Sequence, residues 1–72
     1  GNPFSTNLSF MMETPQTEKI GIKLMDINGR IVYESTKLSN EVVNWENYLA
    51  AGIYILRVQS NRQLKTVRLL RE

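Results

Sequence analysis

Apolar and polar side chains alternate along most of this chain, and no segment sustains helical spacing. Successive side chains of an extended strand point to opposite faces, so a period of two marks a half-buried strand. The first such run covers residues 8–13, with Leu8, Phe10 and Met12 on one face and Ser9, Met11 and Glu13 on the other. Thr14-Pro15-Gln16-Thr17 interrupts it, because proline fixes φ and brings no amide to a ladder. Residues 19–27 form the second run, with Ile20, Ile22 and Leu24 facing one way and Gly21, Lys23 and Met25 the other. Asn28-Gly29 then predicts a type I′ hairpin, whose two central residues both need positive φ. The chain returns over residues 30–35, where the alternation puts Val32 in the core and Ile31 and Tyr33 on the opposite face.

Residues 35–41 read as a polar loop with Leu38 as an inward anchor. A fourth strand is expected over 42–45, with Val43 and Trp45 inward, followed by a turn over 48–52 with room for a short helical bend. The fifth strand, 53–60, points Tyr54, Leu56 and Val58 inward. Asn61-Arg62 turns the chain into a last strand over 63–70, with Val67 and Leu69 as its core pair. Short strands separated by turn residues every 8–12 positions indicate an antiparallel sandwich. A parallel sheet would need crossover helices, and no segment supplies one. The expected fold is therefore all-β, an immunoglobulin-like antiparallel β-sandwich of six or seven strands. It forms one domain over residues 1–72, with 1–7 as a loosely attached lead-in.

Composition narrows the chemistry. The 72 residues contain no cysteine and no histidine. That removes disulfides, thiolate metal sites and the commonest general base. Serines and threonines are scattered without a base beside them, so no catalytic residue is assigned and the chain reads as a non-enzyme. No metal or cofactor is expected. An Asp/Asn calcium loop at Asp26 would need further oxygen ligands close by in sequence, and no acidic residue neighbours it. Nine Lys/Arg against seven Asp/Glu give a net charge of +2, too weak a field for nucleic acid. No apolar run has the length of a membrane-spanning helix, so direct membrane insertion is not expected.

Four elements carry more information together than apart. Asn2-Pro3-Phe4 stands at the front. Asp26-Ile27-Asn28-Gly29-Arg30 forms the hairpin tip. Leu49-Ala50-Ala51-Gly52-Ile53-Tyr54 leads into the fifth strand, and a basic end carries Lys65, Arg68 and Arg71. Asp26 suits an acceptor for turn amides, Gly52 a tight entry into a strand, and Tyr54 a buried ring whose hydroxyl bonds nearby backbone. In order and spacing these segments resemble the type A C-terminal sorting domain of the type IX secretion system, also called the Por secretion system, of Bacteroidetes-type bacteria. The resemblance covers essentially the whole chain.

It implies an address label that directs a precursor across the outer membrane, by way of the periplasm, to the cell surface or the medium. The implied partners are an outer-membrane shuttle, the translocon, a sortase-like peptidase that removes the domain near or upstream of residue 1, and the upstream cargo domain. The implied recognition surface is Asn28, Gly29 and Arg30 at the hairpin with Lys65, Arg68 and Arg71 on the last strand. Members usually end in a lysine-rich pattern, and arginine takes that place here at 68 and 71. Two other readings compete. One is a structural or carbohydrate-contacting accessory sandwich using Phe4, Tyr33, Trp45 and Tyr48. The other is a self-assembling module using exposed strand edges. Met11, Met25, Ile31 and Tyr33 would form an apolar surface unless a bulge changes their parity.

Overall fold

The computed structural model describes residues 6–47 and 49–71. These form six strands in chain order: β1 (Thr6–Phe10), β2 (Lys19–Asp26), β3 (Ile31–Leu38), β4 (Val43–Asn47), β5 (Gly52–Gln59) and β6 (Leu64–Arg71). All pairings are antiparallel. A large sheet has the order β3-β2-β5-β6, and a small sheet pairs β1 with β4. This is the sandwich the alternation predicts. The order of the large sheet corresponds to strands C′, C, F and G of an immunoglobulin domain, and β1 and β4 correspond to B and E.

The inner faces follow the sequence pattern closely. Ile20, Ile22 and Leu24 of β2 and Tyr54, Leu56 and Val58 of β5 are buried between the sheets, with Val43 and Trp45 of β4 packed over them. Met12, just beyond β1, closes one side. Each aliphatic side chain so buried contributes about 1.5–3 kcal/mol, which is what stabilises a domain this small.

Several expectations need correction. Tyr33 lies on the inner face, across from Leu24, and its ring stands 5.0 Å from that of Trp45 at 42°. The cause is a β-bulge: Leu24 pairs with Tyr33 but Met25 pairs with Ile31, which leaves Val32 as the extra residue. An extra residue reverses the parity beyond it. Val32 and Tyr33 therefore both pack against the core, and only Ile31 stays outside. The third strand also runs on to Leu38, through what reads as a loop. Leu38 is 43% exposed and anchors nothing. On β6, Leu69 packs against the core, but Val67 remains 48% exposed, because the small sheet does not extend over it. No helix occurs among the described residues. Thr6 and Asn7, assigned to a lead-in, pair with Asn47 and Glu46, while residues 1–5 of that lead-in lie outside the described residues.

Ser39, not Leu38, fixes the connection after β3. It is fully buried. Its Oγ accepts the Glu18 amide at 2.8 Å and meets Thr14 Oγ1 at 2.6 Å. Thr14 Oγ1 donates to the Gln16 carbonyl, so the Ser39 hydroxyl proton points at Thr14. The Ser39 amide in turn donates to the Glu18 carbonyl. Asn40 follows at φ 62° and bonds the same segment through its Oδ1 to the Thr14 amide and its Nδ2 to Thr17. Ser39→Ala should cost about 1–3 kcal/mol, because it strips the partly buried Glu18 amide of its acceptor. A urea midpoint equal to wild type would contradict this.

Candidate functional site

The hairpin at 26–30 is built by Asp26. Its Oδ1 accepts the amides of Asn28 and Arg30, each at 2.9 Å. The Gly29 amide donates to the Asp26 carbonyl and the Asp26 amide to the Arg30 carbonyl. That pair of bonds defines a type I turn followed by a bulge glycine. Within this turn only Gly29 has positive φ, at 84°, so the expected type I′ turn is not what forms. Asp26 explains the choice: its carboxylate holds residues 27 and 28 in the ordinary right-handed turn. A Cβ at Gly29 would touch nothing within 4 Å, so its role is conformational. Gly29→Ala should cost about 1–2 kcal/mol and Gly29→Asn less, read as shifts in urea midpoint. Equal midpoints for all three would remove the conformational account.

The tip is exposed. Arg30 has four-fifths of its side chain in solvent and makes only a long pair with Asp26, 3.5 Å from Nε to Oδ2. Surface pairs of this kind contribute little. The carboxylate of Asp26 is committed to the turn, and no group of three His, Cys, Asp or Glu stands together among the described residues.

At the start of β5, Gly52 has φ 156° and Tyr54 turns its ring into the core. Tyr54 Oη donates to the Ala50 carbonyl at 2.7 Å. This tyrosine corner ties the chain entering β5 to the strand it enters. Across the large sheet Asp26 pairs with Tyr54, and Tyr54 with Leu69. The hairpin and the C-terminal end of β6 therefore share one end of the sheet.

The basic residues of β6 do not form one patch. Arg68 lies on the outer face, in a row with Ile55, Met25 and Ile31. Lys65 and Arg71 have inner-face parity, paired with Val58 and Gly52. Six residues of strand put Lys65 about 20 Å from Arg71. Arg71 is half-buried at the hairpin end, whereas Lys65 and Arg68 are exposed. Arg30, Arg68 and Arg71 thus gather toward one end, and Lys65 stands at the other.

Among the described residues, the aromatic rings proposed for a sugar platform are withdrawn into the core. Trp45 is 8% exposed and Tyr33 packs beneath it, while Phe4 and Tyr48 lie outside the described residues. Over Trp45 the outer face of the small sheet presents Asn7, Ser9, Asn44 and Glu46 around a shallow depression. Two features escape a reading by alternation alone. One is the Ser39 node, which depends on contacts remote in sequence. The other is a cleft between β1 and β6, which appears only once the two sheets are seen to differ in width.

Neither a search of curated proteins nor a search of solved structures found a match. The family model described as a secretion system C-terminal sorting domain matches residues 2–71. A match over essentially the whole chain, on an all-β sandwich, carries with it the family's role in type IX export to the cell surface or extracellular space. The chain belongs to the C-terminal sorting domain family of the type IX secretion system.

Proposed function

We propose that the export machinery handles this domain as a rigid tag and reads it mainly at the hairpin end of the large sheet. There Asn28, Gly29 and Arg30 project from a turn fixed by Asp26, with Arg68 and Arg71 two strands away. Lys65 extends the basic surface along β6. Among the described residues β6 also has a free edge, and a partner sheet could pair with it. The observation that carries this reading is the family match over residues 2–71, taken with an exposed hairpin and a basic edge strand at one end of the sandwich. In this reading an outer-membrane shuttle and the translocon take up the folded domain from the periplasm, and a sortase-like peptidase removes it from the upstream cargo. The domain itself does no chemistry; it is substrate and address.

The test is a fusion of residues 1–72 to the C-terminus of a fluorescent protein that carries an ordinary export signal, expressed in a host with the type IX machinery. Fluorescence at the surface or in the medium is the expected result. Retention in the periplasm would refute the sorting reading, and retention with capture on polysaccharide would favour an accessory sandwich.

A further inference from the structure

We propose that the free edge of β1 receives an extended segment of another polypeptide, which adds as a third strand to the small sheet and covers the open inner face of β6. This surface is separate from the hairpin end, and the inference stands whether or not the export reading holds.

The first ground is the mismatch in width. The large sheet has four strands and the small sheet two. Trp45 of β4 packs on Tyr33 of β3, so the small sheet sits toward the β3 side and β1 is its inner boundary. Beyond β1 the inner face of β6 is covered only in part, since Leu69 packs against the core and Val67 does not. Across one row, Leu56 of β5 is 5% exposed and its partner Val67 of β6 is 48% exposed. In immunoglobulin sandwiches strand A lies beside strand B, and β1 holds the B position here.

The second ground is the kind of occupant the place fits. Among the described residues β1 pairs only with β4, so its other edge offers amides and carbonyls that none of them takes up, a template for strand addition. The cleft beside it is about 110 Å³. Small-molecule sites start at roughly 300 Å³, so this cleft suits individual side chains of a strand. Its lining is apolar (Phe10, Met11, Met12, Leu56, Val58 and Val67), with Lys65 as the one charged residue. Lys65 makes no ion pair among the described residues. The matching segment therefore has apolar side chains at alternate positions and a carboxylate where it passes Lys65. A second copy fits less well: neither β1 nor β6 carries an acidic residue, Glu34 of β3 is paired with Lys23, and Glu46 of β4 already has an interaction of its own.

The 72-residue chain is titrated with a heptapeptide in which valine, glutamate and valine alternate with threonines. A second heptapeptide has lysine in place of glutamate. Amide hydrogen exchange is followed by NMR. The acidic peptide should slow exchange of β1 amides and bind at least about tenfold more tightly than the lysine peptide, a difference of ~1.4 kcal/mol. Lys65→Glu should reverse that preference. The proposal is overturned if no peptide binds at millimolar concentration, or if both bind equally. Protection confined to β6, or protection of β1 that rises with protein concentration alone, would overturn it too.

Discussion

Leu24→Ala should leave the domain largely unfolded at room temperature. Leu24 is fully buried on β2, between Tyr33 on one neighbouring strand and Leu56 on the other. Truncating such a residue removes transfer energy and leaves a cavity, at a cost of about 2–5 kcal/mol. A core of this size supplies only about 3–5 kcal/mol of net stability, and no disulfide supplements it. The substitution therefore removes most or all of the margin. Trp45, the only tryptophan, is buried against the same core, so its emission reports the loss directly in a urea titration. Ile31→Ala, on the exposed outer face, should shift stability by no more than about 0.5 kcal/mol. Equal midpoints for Leu24→Ala and wild type would mean that the core is not where the structure puts it.

Export should fail when the last strand is removed, and it should fall sharply when only exposed charge is changed. The two variants answer different questions. Deleting residues 65–72 takes away the partner of β5 along nearly its whole length and opens Tyr54, Leu56 and Val58 to water. Such a truncation would abolish export by unfolding the tag as well as by losing its basic residues. Arg30→Gln with Arg68→Glu is cleaner. Both side chains are exposed, and neither belongs to the core. The melting curve should be nearly unchanged, while recognition weakens by about tenfold or more, ~1.4 kcal/mol. Quantifying surface-delivered fusion protein against the periplasmic pool measures this. Wild-type delivery by the double variant would refute a role for these charges.

The strands that bury one full face are plain in the sequence. In β2 Ile20, Ile22 and Leu24, and in β5 Tyr54, Leu56 and Val58, fall on alternate positions, and all six are buried. β3 is harder because its bulge at Val32 adds a residue. No local residue type announces that insertion, which only the pairing with β2 reveals. The hairpin shows a related limit. Asn-Gly points to a type I′ turn when read as a dipeptide, but the carboxylate two residues earlier selects a type I turn with a bulge. The exposure of Val67 was out of reach for a different reason. Alternation gives the face a side chain is on, not whether another layer covers that face. Of the recognition candidates, the hairpin and the C-terminal end of β6 lie at the same end of the large sheet with β5 between them, whereas Lys65 stands at the other end of β6.

The pairing of β1 with β4 has a kinetic side. β2–β3 and β5–β6 are hairpins whose partners adjoin in the chain, but Thr6 must find Asn47 across both β2 and β3. Closing a long loop costs entropy before any contact compensates it, so such pairings form late. A polypeptide that emerges from a pore amino-terminus first cannot complete this clasp until its fourth strand has followed. Trp45 sits on that strand, so its burial reports a long-range step of assembly, of the kind the β2–β5 pairing also requires, rather than the closing of a local hairpin.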